Sequence, residues 1–337
     1  QQAIQLNATA IPNQISISKI NTLFSQEPNE TNWQAIAAIN ALLQSFAIIT
    51  GGPGTGKTTT IAKLLHLLYI QNTDIRVAIA APTGKASARM SESLQKAANS
   101  FDEKTQTFFK TLVPNTIHRL LGYIPKSIYY KHNNEQPLPY DVVIIDESSM
   151  VDIALFAKLL DAIAPTTKLI LLGDKDQLAS VEAGSTLGDI CQAVNLNAFT
   201  PSHFQLLSNI TPIHGDDEKI TNQALSNHIV ALQKSHRFSS TSGIGQFAKA
   251  IIHDDVYTLQ QFLANHDAAI HIDNTTEQGY IEQFAQGYKA YIQEADIFTA
   301  LQRFNDVKIL CAVKDGPAGL HHANTIVEKY LAQQQLI

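Results

Sequence analysis

Cysteine is nearly missing from this chain. Cys191 and Cys311 are the only two, and they share no C-x-x-C spacing. That excludes a disulfide framework and a cysteine-based zinc site, and it fits a reducing cytoplasm. Long apolar runs are missing too: the stretch LILL at 169–172 is far too short to span a bilayer, so no membrane partner is expected. The N-terminus has no basic-then-apolar signal pattern and begins at Gln1 rather than Met, so the chain reads as a fragment or a processed product. Basic excess is absent as well. A net charge of −6 argues against a generally basic nucleic-acid binder while leaving room for a local basic groove. The 12 histidines show no metal-ligand spacing, and His214 near Asp216, Asp217 and Glu218 reads as a polar loop. What remains is 337 residues with 45% hydrophobic and 16% charged content, which is enough for about two globular domains with real cores.

The organising stretch is 46–60, FAIITGGPGTGKTTT. An apolar β-favouring run ends in a glycine-rich turn, and an apolar helical run follows at 61–70. Gly51, four residues, then Gly56-Lys57-Thr58 satisfies the P-loop pattern in full, in the strand–loop–helix context that confirms it. A triphosphate needs many N–H donors converging on its oxygens, and only glycine lets a backbone curl that tightly. Gly52, Pro53, Gly54, Thr55, Gly56, Lys57, Thr58 and Thr59 are the expected ATP-binding residues, with Lys57 on the terminal phosphates and the Thr58 hydroxyl on Mg²⁺.

Around this motif the chain alternates strands and helices. A helix is expected at 31–44, capped by Thr31, with Trp33 and Gln34 in its first turn. Apolar strands at 76–81, 141–145 and 168–172 end in Pro82-Thr83-Gly84-Lys85, Asp146-Glu147-Ser148-Ser149 and Gly173-Asp174-Lys175-Asp176-Gln177. Nearly all-apolar strands alternating with helices indicate an α/β fold, a parallel sheet covered on both faces. Ligands of such sheets bind at the strands' carboxyl ends, so these loops should converge on one edge. The expected organisation is a lead-in and helix over 1–45, a first P-loop domain over 46–192, a connection over 193–230, and the start of a second α/β domain over 231–337. In the second domain, strands are expected at 232–238 and 307–313, and helices at 244–252, 277–294 and 322–333.

The loop residues suggest their chemistry. Asp146 after an apolar strand can hold Mg²⁺, and Glu147 can orient and deprotonate an attacking water. Gln177 suits a γ-phosphate contact. Arg237 lies outside the first sheet, and on spacing alone it reads as a surface arginine. Pro82, Thr83, Lys85 and His118 are candidates for phosphodiester contact, with solvated loops an equal alternative. Residues 123–140 hold four tyrosines and three prolines: a plain surface loop by the residues alone, or a hairpin presenting aromatic faces to bases.

The series GGPGTGKTTT, APTGKASARM, TIHRLLG, VVIIDESSMVD, LLGDKDQLASVEAG and LQKSHRF resembles the ordered motifs of superfamily 1 helicases, and within them the RecD family of exodeoxyribonuclease V alpha subunits. The resemblance covers about Asn32 to the C-terminus. It implies a P-loop NTPase with a RecA-like sheet, and an incomplete second RecA-like domain. The implied activity is an ATP- and Mg²⁺-dependent 5′–3′ DNA helicase acting on single-stranded DNA. It would work beside RecB-like and RecC-like subunits in double-strand break repair and recombination. By the same resemblance, Lys57, Glu147, Gln177 and Arg237 are catalytic, and Gln34 recognises adenine. Thr58 and Asp146 hold the metal. Arg237 would be delivered from the second domain, Thr83 and His118 would touch the DNA backbone, and a hairpin at 123–140 would split the duplex. Members of the family have an N-terminal domain and later motifs that this chain lacks, so it is expected to bind nucleotide, hydrolyse it poorly and not unwind DNA alone. A stand-alone helicase of the same polarity and a nucleotide-binding assembly module are the alternatives.

Overall fold

The computed structural model describes residues 17–24, 29–178, 186–237, 243–264, 267–272 and 279–337. The expectations for 1–16, 25–28, 179–184, Phe238 and the helix start at 277–278 lie outside the described residues. The chain divides into two compact units, Gln1–Gln260 and Gln261–Ile337.

The first unit is an α/β P-loop NTPase fold. Its strands are β1 (Phe46–Gly51), β2 (Val77–Ala81), β3 (Asn115–Thr116), β4 (Val142–Ile145), β5 (Lys168–Gly173), β6 (Ala198–Phe199), β7 (Lys219–Ile220) and β8 (Ile229–Leu232). Six of them form one sheet in the order β3-β2-β4-β5-β1-β8, every neighbouring pair parallel. β6 and β7 make a separate parallel pair.

Alternate residues of β1, β2, β4, β5 and β8 enter two different cores, which is why these strands read as continuous apolar runs. Ala47, Ile49, Ile144, Ile170 and Val230 face the helices Trp33–Leu43, Lys57–Gln71 and Gly84–Ala98. Ile48, Val143, Ile145, Leu171 and Ile229 face Ile117–Leu121, Ile153–Ala162 and Thr186–Gln192. Local chemistry sets the helix starts. Thr83, Asp102, Thr116 and Asp152 each accept a backbone N–H from the first turn. The helix expected at 31–44 runs Trp33–Leu43, and its cap is Asn32 rather than Thr31: Asn32 accepts from the Ala35 N–H, while Thr31 Oγ1 accepts from the His214 N–H. Lys168 closes the other end of this helix by donating to the carbonyls of Leu42 and Gln44.

Two sequence expectations shift. The strand expected at 232–238 is Ile229–Leu232, and it completes the first sheet beside β1, so the connection expected to run through 230 ends inside that sheet. The boundary between units falls at 260/261 rather than at 231. In the second unit, Val307–Val313 is not a strand. Leu310 is 95% exposed there, and no strand is present among the described residues of this unit to pair with it. Helices Ile297–Phe304 and Leu320–Gln333 are formed, and Phe304 packs its ring on Tyr288 and Tyr291. Among the described residues, no helix is long and apolar enough to cross a membrane.

Candidate nucleotide site and adjoining strand-end loops

Register decides which loops meet. Thr50 stands beside Gly173 and Gly51 beside Leu232, while Ile145 is flanked by Ala80 and Leu171. All strands point the same way, so the loops after β2, β4, β5, β1 and β8 share one edge.

The P-loop rises from β1. Gly54 (φ 77°) and Gly56 (φ 86°) adopt the left-handed backbone that side chains resist. Neither has room for a Cβ, which would fall 2.5 Å from Arg237 Cβ at Gly54 and 2.2 Å from Gln34 Nε2 at Gly56. The loop is held from inside by the Thr55 hydroxyl, which donates to the Gly52 carbonyl at 2.8 Å. Lys57 donates its ammonium to the Gly51 carbonyl at 2.5 Å and lies 3.3 Å from that of Gly52. Thr58 is half-buried in the first turn of the helix, and Thr59 beside it is exposed. Gly52 has open space where a side chain would stand, and Pro53 is exposed.

Asp146 and Glu147 follow β4. Burial pushes the Asp146 carboxyl up to about 6, reinforced by the Glu147 charge and opposed by the Glu147 N–H and by Lys57. Burial also raises Asp174 at the end of β5, and Lys57 again pulls the other way. One ammonium therefore acts on carboxylates from two adjacent strands. Glu147 has φ 52°, an unusual conformation for a non-glycine residue and a mark of local strain.

The β4 and β5 loops are tied together. Ser149 Oγ donates to Gln177 Oε1 at 3.0 Å, and the Gln177 N–H donates to the Asp174 carbonyl at 3.2 Å. The Lys175 N–H donates to Thr50 Oγ1 at 3.1 Å, which joins the β5 loop to the P-loop strand.

Arg237 sits differently from the sequence expectation. It follows β8 within the first compact unit, not across a cleft between domains. The His236 N–H donates to the Gly54 carbonyl at 2.8 Å, and Ser235 Oγ donates to that of Pro53 at 3.1 Å, so this segment lies on the P-loop. Gln34 joins it there. A cavity of about 360 Å³ is lined by Trp33, Gln34, Thr55, Lys63, Leu232 and His236, with the Glu30–Lys234 ion pair also on its wall.

A second cluster lies at the β2–β3 edge, where Ala81 pairs with Thr116. Pro82, Thr83 and Lys85 follow β2, His118 follows β3, and Thr83, Lys85 and His118 are exposed. The Thr83 hydroxyl accepts from the Ala86 N–H and keeps its own hydrogen for another acceptor. Beside it, Tyr123 and Tyr130 form an antiparallel bridge below an exposed tip containing Ile128 and Tyr129. The His118 ring stands 6.1 Å from that of Tyr130.

Ser149, Asp174, Ser235 and His236 carry no local sequence signal of these roles: each lies in a run marked by a neighbouring residue, and its partner is brought to it only by folding.

The glycine-curled loop, the lysine, the Thr58 hydroxyl and the Asp146 carboxylate form a donor set suited to a triphosphate with a hard, oxygen-seeking cation. Residues 34–183 match the AAA domain family. The RecD subunit of the RecBCD enzyme of Haemophilus influenzae is 30% identical over 95% of this chain and 54% of that protein. The chain is RecD-like. The ATP-dependent RecD2 DNA helicase of Deinococcus radiodurans is 38% identical over 50% of this chain and 21% of its own length. A solved Pif1 helicase from Bacteroides is 18% identical, with a TM-score of 0.33, covering 86% of this chain and 58% of that one. The RecD-like chain spans about half the length of the RecD subunits it matches. Its P-loop fold is a nucleotide-binding one, and the motifs that suggested it extend through both sets of loops described above.

Proposed function

We propose that this chain is the ATP-hydrolysing motor of a 5′–3′ DNA helicase of RecD type. In this reading it works on single-stranded DNA beside RecB-like and RecC-like subunits, in double-strand break repair and recombination. The observation that carries the reading is the meeting of three loops: Lys57 acts on both Asp146 and Asp174, and the segment bearing Arg237 lies on the same P-loop.

The proposed roles follow from the atoms available. Lys57 leaves its loop carbonyls for the β- and γ-phosphate oxygens, and the P-loop N–H groups complete the cradle. Thr58 and Asp146 hold Mg²⁺, which neutralises charge on the phosphates when bound. Glu147 orients the water that attacks the γ-phosphorus and takes its proton. Gln177, held by Ser149, contacts the γ-phosphate, and Arg237 stabilises negative charge on the transferring group. Pro82, Thr83, Lys85 and His118 contact the phosphodiester backbone, and the tip at 123–130 meets the duplex.

The reading is tested by Mg-ATP binding and turnover with and without single-stranded DNA, beside Lys57→Ala. Loss of binding in the variant supports it, and unchanged binding overturns it. A stand-alone motor of the same polarity is the second reading, prompted by a relative whose name, ATP-dependent RecD2 DNA helicase, is that of a helicase rather than of an enzyme subunit. Co-purification with a RecB-like subunit separates the two.

A further inference from the structure

We propose that His236 fixes the orientation of the Gln34 side-chain amide, and so makes the cavity beside the P-loop select a purine with an amine at C6 over one with a carbonyl there. The inference rests on the reading of that cavity as the base end of a nucleotide site.

Three contacts define the amide. The end of Gln34 that lies 3.0 Å from the Thr55 carbonyl must be nitrogen, because a carbonyl oxygen can only accept. The same nitrogen lies 3.3 Å from His236 Nε2. An amide nitrogen offers only hydrogens, so as a hydrogen bond this contact requires the imidazole Nε2 to accept, with the ring proton on Nδ1. Both N–H groups of Gln34 are then engaged. The glycine at 56 gives the direction: a Cβ there would stand 2.2 Å from Nε2, 3.3 Å from Cδ and 3.8 Å from Oε1, so the nitrogen end presses on the loop and the oxygen end turns away.

Oε1 is thus the part of the amide with capacity left. An amine on the base donates to it, whereas a carbonyl at the same place sets lone pairs against lone pairs. Adenine carries an amine at C6 where guanine carries a carbonyl, so at that position adenine meets the condition and guanine does not. The imidazole is itself well placed for this task, because the His236 N–H is anchored on the Gly54 carbonyl at 2.8 Å. Without it the second N–H of Gln34 is released and can serve a base carbonyl, while Thr55 still holds the first. His236 is a positioning residue here: it acts on the base through Gln34.

The experiment is displacement of a fluorescent adenine nucleotide by ATP and by GTP on the full-length protein. The variants are His236→Phe, His236→Ala and His236→Gln, with Lys57→Ala as the site control and a melting temperature for each. The wild type is expected to favour ATP by about tenfold or more, since an unmet polar group on either side is strongly rejected. Phe and Ala should bring the ATP:GTP ratio down about tenfold, the equivalent of one well-formed hydrogen bond. Gln supplies a carbonyl acceptor and should restore most of the preference. Equal weakening of ATP and GTP, with the ratio unchanged, overturns the proposal and leaves His236 a packing residue. A wild type that binds neither nucleotide, or a Lys57→Ala variant that binds as well as wild type, overturns instead the nucleotide-site reading beneath it.

Discussion

Ser149 Oγ donates a hydrogen bond to Gln177 Oε1 at 3.0 Å, so the loop after β4 holds the loop after β5 by one hydroxyl. Ser149 is buried and Gln177 is exposed. The bond therefore fixes an exposed amide from a rigid base.

Ser149→Ala should free Gln177 without disturbing the P-loop. Losing one hydrogen bond costs about 1 kcal/mol of stability. If Gln177 couples the γ-phosphate to DNA, the DNA-stimulated part of ATP turnover by the full-length protein should fall about tenfold while nucleotide affinity changes less than about threefold. Turnover with and without single-stranded DNA, beside a binding titration, checks both.

Gly54→Ala should weaken the site more than its size suggests. The new methyl would meet Arg237 Cβ at 2.5 Å on a backbone of φ 77°. The left-handed conformation alone costs alanine about 1–2 kcal/mol. Nucleotide affinity should drop at least about tenfold, read by equilibrium binding, and a variant that binds like wild type would show that the 235–237 segment is free to leave the loop.

Asp146→Asn should separate stability from function. The Asp146 carboxyl is raised to about 6, so between its ordinary value and that point the folded protein holds a proton that the unfolded chain releases. Stability therefore falls as pH rises through this window, and the ionised carboxylate destabilises the metal-free fold at neutral pH. The asparagine should raise unfolding stability in EDTA by on the order of 1–3 kcal/mol at pH 7, and should abolish Mg-ATP turnover. Urea melts and an ATPase assay measure the two effects.

His203 should make the fold acid-sensitive. Its Nε2 meets Asn40 Oδ1 at 2.7 Å in a buried site, and burial first, then the neighbouring His228, push it down to about 4. The folded pKa is depressed, so stability is full above the unfolded value near 6.5 and is lost as pH falls towards 4. The loss approaches about 3 kcal/mol. Burial lowers His228 too, and it acts in the same direction. His203→Gln keeps a donor for Asn40 and should remove most of this slope in urea melts between pH 7 and 4.5.

The parts of the fold legible in the sequence were those written locally. β1, β4 and β5 are short apolar runs that end in glycine or acid, and Gly51 to Thr58 shows its turn by residue type. What was hidden depends on partners distant in the chain. Ile229 and Val230 read as the end of a mixed connection until Ile48 and Ile49 are placed beside them. Val307–Val313 has the composition of a buried strand, yet composition cannot supply the neighbour that would bury it. Arg237 was legible as a motif residue, but not as one docked on the loop of its own unit. His236 carries no local signal, because its contact with Gln34 exists only once β8 lies beside β1.

That β8 completes the sheet also sets an order of assembly. Ile48 must wait for Ile229 and Gly51 for Leu232, so the strand carrying the P-loop keeps an edge bare until residues 229–232 have been made. Contacts between such distant parts of the chain form slowly, and an unpaired apolar edge invites wrong pairing meanwhile. The phosphate loop thus precedes its last flanking strand. The interval between them is when a chaperone or a premature stop would matter most.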